Sequence, residues 1–291
     1  MKANLPNFLA AALAALAMAA VSRADILVYE PFAYSLADET PLTGTPVTAT
    51  GLSGKYSASI KTNTFAGSDG TGSAHFSAVG LGFERNFHPV SGGAAVISAT
   101  AGSAQNGMPT TETLLAKLSG APSPPFYCSF LFKFAADFPT NNNGSTFVGL
   151  KVGDLVIAPN WNDKFTNVAG IGLGAPEGVL TRFDPFAETV FLAVAKAFKN
   201  EAGLMQATLW IFDQSSFEAW CKDGAKEEGL SKFAQVQTAS SPKSGNVNLG
   251  ESCKFEVFSG NFASHNITMT VDELVVGTTL ADVTTGSAPK K

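Results

Sequence analysis

Apolar and polar positions alternate with a period of two along much of the chain. That is the pattern of strands whose side chains point to opposite faces in turn. The sharpest run is 126–134, where Phe126, Cys128, Phe130, Phe132 and Phe134 fall on one face and Tyr127, Ser129, Leu131 and Lys133 on the other. Similar runs predict strands at 26–34, 55–61, 74–79, 94–100, 145–152, 155–158, 168–173, 189–198, 204–212, 253–258 and 267–277. Pro31 restricts the first of these to a sheet edge or a bulge, because proline has no N–H to give to a ladder. Gly-, Ser- and Thr-rich turns separate the runs, so the predicted class is all-β, an antiparallel sandwich rather than alternating βα units.

Helical spacing is expected in two places. One is 111–118, where Glu112, Leu114, Leu115 and Leu118 fit two turns. The other lies in an insert at 213–245 that breaks the β pattern. There Ser215-Ser216-Phe217-Glu218 has capping-box spacing, and Phe217, Trp220 and Cys221 follow on one helical face. Residues 238–250 read as a loop.

The two ends differ from the rest. Lys2 precedes an apolar run from Phe8 to Val21, and Ser22-Arg23-Ala24 offers small residues for cleavage before Asp25. The expectation is a signal peptide at 1–24, one domain at 25–283, a disordered polar tail at 284–291, and a secreted, periplasmic or extracellular address. No membrane span is expected after cleavage, because the apolar run is shorter than the ~20 residues a bilayer requires.

Composition narrows the partner. Loss of Lys2 and Arg23 from 19 basic residues leaves 17 against 24 acidic ones, a net charge of about −7 that argues against nucleic acid. Phenylalanine outnumbers the other aromatics, 23 against 4 Tyr and 3 Trp, which makes the aromatic content mostly packing material. Trp210 and Trp220 are assigned to the core. Of three cysteines, Cys128 points into the Phe face as an inert thiol, at least one is unpaired, and Cys221 with Cys253 is the first disulfide to consider.

The closing run Val271-Asp272-Glu273-Leu274-Val275-Val276-Gly277-Thr278-Thr279 resembles the last strand of secreted bacterial LamG-like domains, in the concanavalin A-like lectin/glucanase superfamily. Leu27-Val28-Tyr29-Glu30-Pro31-Phe32 is similar to the opening of that group, and Thr208-Leu209-Trp210-Ile211-Phe212 to its penultimate pair. The resemblance implies a two-sheet jelly roll, with a short helical insert here, in which first and last strands lie side by side. It also implies a fold shared by lectins, glycoside hydrolases and polysaccharide lyases. Two features depart from the group: no apolar sorting helix precedes Pro289-Lys290-Lys291, which suggests a released protein, and the 213–245 insert is long.

Four sets of residues carry candidate chemistry. Within Pro159-Asn160-Trp161-Asn162-Asp163-Lys164, read as a polar loop, Trp161 offers a ring face to a sugar, with Asn160, Asn162 and Asp163 taking hydroxyls. Together with the resemblance, this favours non-catalytic binding of a glycan or cell-surface polysaccharide, or association with extracellular matrix. The alternative is a polysaccharide-cleaving site of Glu84, Arg85 and His88, the one tight cluster of acid, cation and imidazole. His75 and His265 have no charged neighbour in sequence. Asp272 has two readings: a ligand of a structural Ca²⁺, as the superfamily implies, or a carboxylate on the Leu274 and Val276 face whose pKa is lowered by backbone N–H groups. Asp272 and Glu273 are expected on opposite faces, too far apart in direction for a glycosidase pair. No cofactor other than that ion is expected, and a structural or interaction role without a small ligand remains open.

Overall fold

The computed structural model describes residues 26–58, 71–83, 92–100, 110–135, 146–163, 166–174, 177–182, 188–244, 247–250, 252–259 and 266–285. The expected signal peptide, residues 286–291 of the expected tail, and Glu84, Arg85, His88 and His265 lie outside these.

The first strands in chain order are β1 (Ile26–Glu30), β2 (Leu52–Ala58), β3 (Thr71–Ser77), β4 (Ala94–Thr100) and β5 (Thr110–Leu118). Next come β6 (Phe126–Phe134), β7 (Thr146–Val152), β8 (Leu155–Asp163), β9 (Thr166–Leu173) and β10 (Glu177–Arg182). The hairpin β11 (Val190–Lys199) and β12 (Met205–Phe212) leads to helices α1 (Gln214–Lys222) and α2 (Glu227–Phe233). The chain closes with β13 (Val236–Ala239), β14 (Ser252–Ser259), β15 (Asn266–Gly277) and α3 (Leu280–Thr284).

Among the described residues these strands make two antiparallel sheets. One runs β13-β12-β11-β6-β15-β4-β3, with β1 also paired to β15; the other runs β10-β9-β8-β7-β14-β5-β2. The predicted all-β sandwich is therefore correct. So is the adjacency of first and last strands: Tyr29 lies opposite Val275 and Glu30 opposite Leu274. Gly51 allows the chain to pass close to β1, since its φ is +72° and a Cβ there would stand 1.7 Å from the Leu27 carbonyl oxygen.

The inter-sheet core explains the phenylalanine excess. Phe126, Phe130, Phe132 and Phe134 are fully buried; Phe130 meets Phe255 edge to face and Phe132 stacks on Phe191, each at a centroid distance of 5.5 Å. Each such ring contributes about 1.5–3 kcal/mol through burial. The other face of β6 is buried too. Tyr127 and Leu131 pack with Val194, Phe212, Phe217 and Trp220 in a second apolar layer, where the three described helices cover the eight-stranded sheet. This is why β6 is nearly all apolar, with Cys128 buried at its centre. The thiol of Cys128 is pushed well up, by burial first and then by Cys253.

Several local expectations are revised. Residues 110–118 form strand β5, with Leu114, Ala116 and Leu118 inward, and no helix. The cap of α1 is Asp213 rather than Ser215; its carboxylate accepts from the Ser216 N–H at 2.8 Å. The insert also contains a second helix and strand β13, which pairs with β12. His75 does have a charged neighbour, its Nε2 standing 3.1 Å from Glu39. None of the three cysteines is in a disulfide. Cys253 lies in the inter-sheet core and Cys221 in the helix layer, with the eight-stranded sheet between them, so the Cys221–Cys253 bridge does not form. No described helix is long and apolar enough to cross a membrane.

Candidate functional site

The two outer faces of the sandwich differ. The helices cover that of the eight-stranded sheet, whereas no described helix packs on that of the seven-stranded sheet. On β14, Cys253, Phe255 and Val257 enter the core, so Lys254 and Glu256 point outward. Register carries the same alternation to the neighbours: Lys254 lies opposite Lys151 on β7 and Leu115 on β5, and Glu256 opposite Gly149 and Thr113. Lys117 continues the outward row of β5, opposite Ser53 of β2, and Lys55 stands beside the inward Tyr56. Lys151 bonds Glu256 at 2.9 Å and Lys254 approaches it at 3.7 Å. Glu256 is the one carboxylate among the described side chains of this face. Toward β8 and β9 the face is closed, with Val156 and Ala158 buried.

The Pro159–Lys164 segment expected as a loop is strand β8 as far as Asp163. A register shift falls between Ala158 and Trp161. Asn160 is fully buried and opposite Val148, a core residue, so it is not at the surface. Trp161 lies opposite Phe147 and Val168, in the row that alternates with the core positions Val148 and Ala169. Strand alternation thus places Trp161 and Asp163 in one row, and Asn160 and Asn162 in the other. Lys55, Lys117, Lys151, Lys254 and Glu256 were not singled out from sequence. Their signal was the lone charge between apolar neighbours, as in Lys254-Phe255-Glu256.

The closing strand holds a second cluster. A register shift between Asp272 and Val275 interrupts the β15–β6 ladder, and Glu273 has a φ of +50°. The bulge changes the expected alternation: Val271, Leu274 and Val276 face the inter-sheet core, while Asp272 turns toward the helix side. It does not share the Leu274 face. Its carboxylate accepts from the N–H groups of Leu81 at 2.8 Å and Glu273 at 2.7 Å. These bonds do not set its pKa as expected, because burial, and then the charge of Glu273, push it up to about 8.

Glu273 is equally buried. Burial raises it to about 7, against the pull of the Tyr29 hydroxyl. Glu30, which accepts from the Phe32 N–H and the hydroxyls of Tyr34 and Tyr56, is also raised, by burial first. The residues do not fit a structural Ca²⁺ at Asp272: among the described residues no three acidic, His or Cys side chains converge, and the two carboxylate oxygens already serve backbone N–H groups.

A cleft of about 440 Å³ opens between Phe83, Val190 and the start of α1. Its carboxylate, Asp213, is raised by burial but lowered more by the N–H and hydroxyl groups it caps, so it ends below the usual range. It is committed to the helix and is no general base.

No family model matches the sequence, and no curated protein matches it. Solved structures do resemble the fold. An endo-β-1,4-glucuronan lyase from the fungus Trichoderma reesei is 12% identical with a TM-score of 0.47, over 87% of this chain and 99% of the lyase. A GH131 β-glucanase catalytic domain from Podospora anserina is 8% identical with a TM-score of 0.45, over 73% of this chain and 82% of that domain. Lectin I-B4 from Griffonia simplicifolia is 11% identical with a TM-score of 0.37, over 75% of this chain and 98% of the lectin.

Proposed function

We propose that this is an exported protein that binds carbohydrate without cleaving it, along the outer face of the seven-stranded sheet. The observation that carries the reading is the contrast between the two outer faces. One is sealed by an apolar helix layer, whereas the other presents Lys117, Lys151, Lys254 and Glu256 from adjacent strands. Polar groups fixed on rigid strands can take sugar hydroxyls with little loss of side-chain freedom. Trp161, on strand β8 of the same sheet, is the residue proposed to stack on a sugar ring. Glu256 is engaged by lysines, so no pair of carboxylates for glycoside hydrolysis assembles among the described side chains of this face.

Retention of the full chain on a panel of insoluble and soluble polysaccharides tests this. Binding to at least one is expected, weakened several-fold in Trp161→Ala, with no new reducing or unsaturated ends. Retention on none would leave a structural or interaction role. Polysaccharide cleavage by Glu84, Arg85 and His88 is the second reading, favoured by the cleft that Gly82 and Phe83 line just before Glu84. New chain ends, lost in His88→Ala, would establish it instead.

A further inference from the structure

We infer that the ligand of this face is an acidic polysaccharide whose sugars carry carboxylates, a polyuronate. This deepens the carbohydrate-binding reading and rests on it. Four neighbouring strands each place one lysine outward: Lys151 on β7, Lys254 on β14, Lys117 on β5 and Lys55 on β2. Lys254 is directly opposite Lys151, and Lys117 is opposite Ser252, two residues along from Lys254. Lys55 lies in the register shift between Ser53, the partner of Lys117, and Ser57, the partner of Leu115. Lys151 and Lys254 stand level, Lys117 is offset along the strands, and Lys55 returns toward the level of Lys254, so the cations form a staggered row across the sheet, one per strand, at steps between the ~4.8 Å strand spacing and the diagonal distance of ~7–8 Å.

Like charges directly opposite one another on a sheet cost stability. Glu256 offsets part of that cost by taking Lys151 at 2.9 Å and Lys254 at 3.7 Å. Among the described side chains of this row one carboxylate stands against four lysines, in a chain whose net charge is −5. Lys55 and Lys117 are exposed, and Lys254 keeps 34% of its side chain accessible.

The spacing selects the ligand. A cation every strand suits a polymer with one charge per ring, laid across the strands. A densely charged polyanion such as nucleic acid needs a broad basic surface, which the acidic remainder of the protein does not offer. Lysine ammonium groups act as point charges with three donors, so they take a carboxylate and a neighbouring hydroxyl without demanding a fixed fork geometry.

Affinity electrophoresis of the full chain through gels containing sodium polygalacturonate, its methyl ester or a neutral β-glucan tests the inference. Retardation by polygalacturonate is expected, roughly tenfold weaker on the ester and declining as salt screens the charges. Lys117→Gln with Lys254→Gln should weaken binding roughly tenfold, the loss of two exposed charge contacts, and Glu256→Gln should tighten it. Unchanged melting temperatures will show that the variants are folded. Equal retardation by acid and ester, or wild-type binding by the double lysine variant, overturns the inference. Retardation by the neutral glucan alone overturns it while leaving carbohydrate binding intact, and retardation by none of the three removes both.

Discussion

Glu273 combines two costs at one position: a left-handed backbone that glycine alone adopts freely, and a carboxyl taken out of water. Its neighbours Asp272 and Glu30 are also carboxyls raised by burial, so the native state is suited to hold them protonated. The consequence for pH has a definite sign. An acid whose folded-state pKa is raised favours the fold fully below its unfolded value, about 4, and loses that contribution as pH rises through the folded values. For Glu273 and Asp272 those are about 7 and about 8. The melting temperature should therefore fall between mild acid and pH ~8, with a shallower fall in Glu273→Gln. Calorimetry that finds stability rising over that interval contradicts the assignment.

The thiols give a second residue-scale outcome. Cys128 and Cys253 are buried and their thiols raised, that of Cys253 to about 12, whereas Cys221 is partly exposed. Iodoacetamide should label Cys221 alone in the native protein and all three after denaturation, as read by mass spectrometry. The adjacency of Asp272 and Glu273 was plain in the sequence, but their orientation was not. A bulge is set by the register with β6, which no local pattern of residues encodes.

Among the elements, the insert shows how a local rule finds a helix and misplaces its cap. Ser215 and Glu218 have capping-box spacing, yet Asp213, two residues earlier, reaches the Ser216 N–H and also binds Gln235 at 2.7 Å. A carboxylate at the cap satisfies a free N–H and faces the positive end of the helix. Asp213→Ala should cost about 1 kcal/mol in urea denaturation, and Ser215→Ala less than about 0.5. Glu227 performs a related task on α2, where it accepts from Tyr127 at 2.5 Å and from Lys196 and so ties the helix to β6 and β11. Strand β5 was misread for a definable reason. Leu114, Leu115 and Leu118 fit a helical stripe as well as they fit alternation, and pairing with β14 and β2 decides between them.

Across the whole molecule, the class of fold and the meeting of first and last strands were legible, because alternation and the closing run are local signals. The candidate face was not. Its lysines come from four segments separated by long stretches of chain, and only sheet order makes them neighbours. Trp161 was found for its ring and polar company, but its neighbours in sequence, Asn160 and Asn162, fall in the opposite row once the segment is a strand.

The position of β15 also orders events in time. It lies between β6 and β4 and carries β1 on its remaining length, so without it the eight-stranded sheet separates into β13-β12-β11-β6 and β4-β3. Ribosomes make β15 after every strand it joins. Throughout synthesis, the apolar edges of β4 and β6 therefore wait for their shared partner, a long-range pairing that is slow to form and leaves open edges available to other chains. Shielding those two edges until residues 266–277 have emerged should therefore lower aggregation of the nascent chain.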